Sequence, residues 1–210
     1  IVSYVINNNR YVDKNKRERV EGAIKVLNYR PNNVARALKG KRSNQIIFIA
    51  DQITNGYFSR IVSEMDKFAY EKGYLISLCA NRNTKEFVSQ VISRQYDGII
   101  ISSVSFPEEY VKQFVDADIP LVLFENRRYH NIPRNVGIID SGLYSGARDC
   151  IRYLESEGRK HILYLDRISS QGIKSTMDDL RLSGFMDQMR ESKLDFNEER
   201  IIAGCCTEEQ

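Results

Sequence analysis

The chain has 210 residues, 42 % of them hydrophobic, which suits one large domain or a small domain joined to a larger one. No run of about 18 apolar residues occurs, so no membrane-spanning helix is predicted. The first residues lack the basic and apolar regions of a secretory signal, so no signal peptide is predicted. The cysteines lack metal-binding spacing and are interpreted as reduced, with a cytoplasmic location; they are Cys79, Cys150, Cys205 and Cys206.

Charge is distributed unevenly along the chain. Residues 1–43 contain eleven Lys and Arg against three Asp and Glu, a net charge of +8. Residues 44–210 contain twenty against twenty-five, a net charge of −5. A small basic module on a mildly acidic body is typical of a phosphate-binding arm attached to a sensor. The alternative is a solvated basic tail, but the segment also carries apolar periodicity.

The basic segment has a helical pattern. Residues 2–8 are predicted to be the end of one helix, and Asp13 is predicted to cap a second helix that runs from Lys14 to about Leu27. The apolar positions of the second helix recur at helical spacing: Val20, Ala23, Ile24 and Leu27. A short helical piece is predicted over residues 32–38, followed by a basic linker over residues 39–43.

From residue 44 onward, strands and helices alternate. Strands are predicted over residues 45–50, 74–79, 98–101, 120–124, 136–139, 162–165 and 200–203. Helices are predicted over residues 57–72, 84–94, 107–115, 145–156 and 178–190. The apolar stripe of the first of these helices comprises Ile61, Met65, Phe68 and Ala69. Such alternation predicts an α/β fold with a parallel, doubly wound sheet and a binding crevice at the carboxyl ends of its strands.

Several segments resemble the LacI/GalR family of bacterial transcriptional regulators. VSYVINN (2–8), RERVEGAIKVLNYRPN (17–32) and VARALKG (34–40) resemble the family's DNA-binding headpiece, and the resemblance continues through QITNGYF (52–58), DGII (97–100) and RLSGF (181–185). It implies a partial all-α helix-turn-helix headpiece over residues 1–31 and a hinge helix and linker over residues 32–43. It also implies a periplasmic-binding-protein-like core, with an N-subdomain for effector binding and dimerisation over residues 44–141 and a partial C-subdomain over residues 142–210.

The function that this resemblance implies is sequence-specific DNA-binding regulation of transcription, as a repressor controlled by a sugar or a sugar derivative. Family members are homodimers or tetramers, and no cofactor, metal or membrane partner is expected. The resemblance also implies that the headpiece lacks its first helix and that the core lacks its last part, so we expect the chain alone to be poorly stable.

The alternative function is that of a periplasmic-type sugar-binding protein without a DNA-binding role. An enzyme is not predicted, because ADQITNGY (50–57) lacks the G-x-G-x-x-G turn, and neither a P-loop nor a nucleophile elbow occurs.

The resemblance places candidate DNA contacts in two segments. Tyr4 lies on the recognition helix where relatives often carry Arg, and a tyrosine cannot grip guanine bidentately. Leu38 is expected to wedge into a base step of the minor groove. The other candidates are Ser3, Asn7, Tyr11, Arg17 and Tyr29 in the headpiece, and Asn32, Ala35 and Arg36 in the hinge helix. The alternatives are a half-buried structural role for Tyr4, a solvated role for Arg17 and a core role for Leu38.

Five residues are predicted to contact the effector. Asn55 is suited to bind hydroxyls, and Phe58, with its neighbour Tyr57, is suited to lie against a pyranose ring. Asp140 follows a short strand where relatives carry an Asp-Asn pair, and Arg181 resembles the family's effector-contacting arginine, whose fork of donors fits two hydroxyls or a carboxylate. The alternatives are a core role for Phe58 and a surface ion pair for Arg181.

Overall fold

A computed structural model of the chain describes residues 1–8, 10–30, 42–54, 56–166 and 175–204. The chain divides into two compact units, one ending before Arg42 and one beginning with it. Within the described residues no helix is long and apolar enough to cross a membrane. The same residues contain no group of three or more His, Cys, Asp and Glu placed to hold a metal ion.

The first unit contains two described helices, α1 (Val2–Asn7) and α2 (Lys14–Val26). The predicted N-cap of α2 is confirmed, because the Asp13 carboxylate accepts hydrogen bonds from the backbone N–H groups of Asn15 and Lys16. Val5 of α1 is buried, whereas the predicted apolar stripe of α2 is half-buried at best and Leu27 at its end is exposed.

The second unit begins with a five-stranded sheet of β1 (Gln45–Ala50), β2 (Leu75–Ala80), β3 (Gly98–Ser102), β4 (Leu121–Phe124) and β5 (Gly137–Ile139). The strand order is β2-β1-β3-β4-β5 and every pairing is parallel, which confirms the predicted doubly wound sheet. The order changes direction between β1 and β3, and this switch point is where ligands bind in open α/β sheets.

Three helices pack on this sheet: α3 (Gly56–Glu71), α4 (Lys85–Ser93) and α5 (Glu108–Asp116). Buried side chains of α4 and α5 form one hydrophobic cluster with Ile47, Ile99 and Leu123 of the sheet. The buried side chain of α3 packs with Phe48 in a separate, smaller cluster. The prediction that Phe68 belongs to the buried stripe of α3 is wrong, since Phe68 is 69 % exposed. It lies near the carboxyl end of α3, about one turn beyond Met65, which packs against the sheet cluster of Phe48.

The second part of this unit contains α6 (Leu143–Ser156), β6 (Tyr164–Asp166), α7 (Leu180–Glu191) and β7 (Ile201–Ala203), with a short 3-10 helix at Glu198–Arg200. β6 and β7 form a parallel pair, and α6 and α7 pack against each other around a cluster that includes Ile151, Phe185 and Met189. The strand and helix types predicted from residue 44 onward are confirmed, with ends that differ by one or two residues in most elements.

Candidate functional site

The switch point of the sheet is closed by a polar network at the ends of β1, β2 and β3. The Asp51 carboxylate follows β1 and accepts hydrogen bonds from the hydroxyls of Ser103 and Ser105 and, at 2.9 Å, from the backbone N–H of Val104. The Asn81 amide, after β2, donates to the Ser103 hydroxyl at 3.2 Å. These groups satisfy one another's hydrogen-bonding capacity, so the network forms a polar end to the sheet at its switch point.

Two aromatic residues at the start of α3 divide between the core and the surface. Phe58 is 6 % exposed and its ring contacts that of Phe48, with centroids 6.2 Å apart. Tyr57 is 49 % exposed and packs edge-on against Phe58, with centroids 5.3 Å apart. This arrangement favours the core alternative for Phe58 and leaves Tyr57 partly at the surface.

A strap joins the loop after β4 to the start of α7, and so links the two parts of the second unit. Its backbone forms an antiparallel bridge in which the Arg128 N–H donates to the Asp178 carbonyl at 2.8 Å and the Leu180 N–H donates to the Asn126 carbonyl at 3.2 Å. The loop after β4 therefore lies directly beside the segment that carries Arg181, at the carboxyl edge of the sheet.

Side chains reinforce this strap through the Asp178 carboxylate. One oxygen lies 3.0 Å from Nε2 of His130, and the other accepts a hydrogen bond from Nη2 of Arg127 at 3.1 Å. Nη1 of Arg127 also donates to the carbonyl of Val104, after β3, at 3.3 Å. The hydrogen bond from His130, followed by the charge of Arg127, holds the pKa of Asp178 below its usual value.

Three buried polar atoms of the described residues lack partners, two of them on residues of the loop after β4. Within the described part of the chain, Nε of Arg127, the hydroxyl of Tyr129 and the hydroxyl of Ser141 are buried without a hydrogen bond. Burial also raises the pKa of Tyr129 above its usual value, and its hydroxyl, protonated at neutral pH in any case, is available as a donor. Buried donors and acceptors of this kind favour a bound ligand or water that satisfies them.

The two remaining predicted effector residues lie at the same edge. Arg181 is exposed in the first turn of α7. Its backbone N–H donates a hydrogen bond to the Asp179 carboxylate at 2.9 Å, and none of the described side chains pairs with its guanidinium. Asp140 follows β5, is exposed, and accepts a hydrogen bond from the Gly142 N–H at 2.7 Å. Since β1 and β5 are three strand spacings apart, Asp140 lies about 14 Å across the sheet from the end of β1.

The predicted DNA-contacting residues of the first unit are mostly accessible. Tyr11 is 93 % exposed, Ser3 and Tyr29 are exposed, and Tyr4 is half-buried. Arg17 is partly used within the unit, because its guanidinium donates to the Asn8 side chain at 3.1 Å. Six candidates cannot be placed: Asn32, Ala35, Arg36, Leu38 and Asn55 lie outside the described residues, and so does the side chain of Asn7.

Arg127, His130 and Asp178 are not among the site residues predicted from the sequence. A signal for Arg127 was present, because it lies three residues after the end of β4, and the loops that follow parallel strands lie at the binding edge of the sheet. Asp178 gave no such signal, since its two partners lie 51 and 48 residues away in the sequence.

Two family descriptions match the chain. Residues 2–32 match "Bacterial regulatory proteins, lacI family", and residues 43–210 match "Periplasmic binding proteins and sugar binding domain of LacI family". Among curated relatives, the HTH-type transcriptional repressor PurR of Histophilus somni (strain 129Pt) is 29 % identical over 208 residues, which cover 97 % of this chain and 60 % of the relative. PurR of Proteus mirabilis (strain HI4320) is 30 % identical, with 97 % of this chain and 59 % of the relative covered.

Solved structures give the same fold. The lac repressor dimer bound to operator and the anti-inducer ONPF matches with a TM-score of 0.69 at 23 % identity, covering 97 % of this chain and 60 % of that one. A periplasmic binding protein/LacI transcriptional regulator from Alkaliphilus metalliredigens QYMF, complexed with D-xylulofuranose, matches with a TM-score of 0.59 at 27 % identity, covering 78 % and 57 %. The chain spans about 60 % of the length of the curated relatives named above. Since the sugar-binding-domain match alone covers residues 43–210, the chain belongs to the LacI family of bacterial regulatory proteins.

Proposed function

We propose that this protein is a sequence-specific DNA-binding repressor of transcription that acts in the bacterial cytoplasm under the control of a small-molecule effector. The observation that carries the proposal is that one chain matches both the DNA-binding and the sugar-binding family descriptions, in that order. The basic charge of residues 1–43 supports the assignment of DNA binding to the first unit, because phosphate neutralisation supplies much of the affinity of such proteins.

DNA binding is tested by selecting duplexes from a randomised pool with the full-length gene product. We expect a palindromic sequence to be enriched, because a symmetric dimer reads two equal half-sites. Its affinity should fall steeply between about 50 and about 200 mM salt, as measured by fluorescence anisotropy. Early elution from heparin and no enrichment would refute the proposal and favour the alternative of a sugar-binding protein without a DNA-binding role.

We propose a sugar or a sugar derivative as the effector. The exposed ring of Tyr57, the accessible guanidinium of Arg181 and the orphaned hydroxyls of Tyr129 and Ser141 offer an aromatic face and hydrogen-bond donors at one edge of the sheet. The relative complexed with D-xylulofuranose supports this ligand class.

A thermal-shift screen of sugars and sugar phosphates tests the effector class. We expect Arg181→Gln to abolish the shift given by the best ligand. The matched control is Arg190→Gln on the same helix, which removes an exposed arginine that pairs with Asp187 and should keep the shift. An unchanged shift in Arg181→Gln would remove Arg181 from the site.

We propose that the protein is a homodimer whose interface includes β2 and the outer side of α3. β2 is an edge strand, and its Leu75 and Leu78 are exposed, as are Phe68 and Tyr70 at the end of α3. A sheet edge that carries exposed apolar side chains is typical of a protein–protein contact. Sedimentation is expected to show that Leu78→Asp weakens the dimer, whereas Tyr153→Asp, at an exposed position of α6, leaves it intact.

A further inference from the structure

The carboxylate of Asp97 holds the first residues of the second unit. One of its oxygens accepts hydrogen bonds from the backbone N–H of Ser43 at 2.7 Å and from the Ser43 hydroxyl at 2.8 Å. The other oxygen accepts a hydrogen bond from the backbone N–H of Asn44 at 3.0 Å. Hydrogen bonds to an ionised acceptor are stronger than those between neutral groups. Because Ser43 is buried and Asp97 is half-buried, water competes little for these bonds. We call Ser43, Asn44 and Asp97 the anchor.

The backbone of the anchor is joined to the neighbouring strands. Asn44 has a φ of 55°, a left-handed conformation that asparagine adopts more readily than most residues, at the turn that leads into β1. Its carbonyl accepts a hydrogen bond from the N–H of Leu75, the first residue of β2, at 3.0 Å. The N–H of Asp97, directly before β3, donates to the Gln45 carbonyl at 2.9 Å. The chain is therefore fixed from Ser43 onward by contacts on both sides of β1.

The anchor lies far from the candidate effector residues. It is at the amino ends of β1 and β3, whereas those residues lie at the carboxyl edge of the sheet. The six residues of β1 separate the two ends by roughly 20 Å, at about 3.3 Å per residue. The residue before the anchor is tied at the same end, since Nη1 of Arg42 donates to the Tyr74 hydroxyl at 3.1 Å. What the anchor controls is therefore the attachment of the basic linker to the sheet.

We propose that Asp97 is a positioning residue for operator binding, which fixes the point where the linker leaves the sheet and so sets the half-site spacing that a dimer accepts. A symmetric dimer binds two half-sites at a defined distance, and a looser attachment of its linkers would let it fit several distances. Without the anchor, the backbone of at least one more residue per subunit would have to be ordered on binding. That ordering costs about 5- to 30-fold in an equilibrium constant. This inference rests on the proposed DNA-binding function.

The test measures the affinity of the full-length wild type and of Asp97→Ala for three kinds of duplex by fluorescence anisotropy. These are the selected operator, the same operator with one base pair added or removed at its centre, and a duplex with a single half-site. We expect Asp97→Ala to bind the operator at least about 5-fold more weakly than the wild type does. We also expect it to lose less affinity than the wild type when the spacing changes. Affinity for the single half-site should stay the same, because one headpiece needs no spacing.

Asp116→Ala is the matched control, since it removes an exposed carboxylate at the end of α5 and changes the net charge equally. Any general effect of the lost negative charge on DNA binding appears in this variant, which should keep the spacing preference of the wild type. Asp97→Asn retains one acceptor oxygen in the same shape. It should change the spacing response in the same direction but less, and it provides a second variant if Asp97→Ala does not fold.

Two results would overturn the inference and leave the DNA-binding proposal standing. One is that both Asp97 variants discriminate between spacings as sharply as the wild type does. The other is that they lose affinity for the operator and for the single half-site in the same proportion, which indicates a weakened fold and not a lost position. If the wild type selects no sequence, the inference and the DNA-binding proposal are both wrong.

Discussion

Replacing Gly184 by alanine tests how α7 is positioned. Gly184 faces α6 so closely that an added Cβ would lie 2.5 Å from the backbone oxygen of Tyr144 and 3.2 Å from the Cβ of Ala147. Because backbone atoms on α6 would have to move, we expect overpacking to cost about 3 kcal/mol, at the upper end of the usual range. The higher helix propensity of alanine offsets about 1 kcal/mol. The net loss of unfolding free energy is therefore about 2 kcal/mol.

Thermal and urea denaturation of the full-length gene product measure this loss, which corresponds to a fall in Tm of about 4–8 °C for a domain of this size. Gly146→Ala is the matched control, since Gly146 lies in α6 with no atom within 4 Å of the added Cβ. That substitution is expected to stabilise the protein by up to about 1 kcal/mol. Two alanine variants of equal stability would refute the reasoning that a close approach of α6 and α7 requires glycine at position 184.

Three further outcomes are expected. The pKa of Asp178 is lower in the folded state than in the unfolded state, where it is about 3.9. Its carboxylate therefore contributes to the free energy of unfolding at pH values above about 3.9, and this contribution is lost as the pH falls through the folded-state pKa. Asp178→Asn should then be less stable than wild type near pH 7 in urea denaturation, with a difference that narrows in acid; a constant difference would contradict the pKa assignment. Asp51→Ala should lower the free energy of unfolding by about 1–3 kcal/mol in the same assay, because the Ser103 hydroxyl and the Val104 N–H lose their acceptor. The matched control is Asp66→Ala on the exposed side of α3, which should change that free energy by less than about 0.5 kcal/mol. Leu38→Ala in the predicted hinge helix should weaken binding to the selected operator at least about 30-fold in fluorescence anisotropy, and equal affinity would exclude the wedge.

Elements with a strong local pattern could be predicted from the sequence. The run QIIFIA forms β1 over the predicted residues, and the carboxylate of Asp13 caps α2 as predicted. Both follow from neighbouring residues, because a strand buried on both faces needs consecutive apolar side chains and a helix start needs a nearby acceptor. Phe68 satisfied the same helical periodicity as Ile61 and is nevertheless exposed, because periodicity fixes the side of a helix on which a residue lies and not what packs against it.

The candidate site could be predicted only as an edge of the sheet with a set of loops. The alternation of elements was enough to place the loops after β1, β3 and β4 at one crevice, because parallel strands share their carboxyl ends. It did not indicate that Phe58 turns into the core while Tyr57 stays outside, since adjacent helical residues differ by about 100° and either could face the sheet.

Local pattern along the chain therefore determined the type and position of the elements, the basic character of the first unit and the family resemblance. The tertiary structure decided which distant side chains meet: Asp178 with Arg127 and His130, and Gly184 with the backbone of α6. The physical reason is that propensity and capping act over one or two helical turns, whereas hydrogen bonds across the crevice and close helix contacts exist only after the chain has folded.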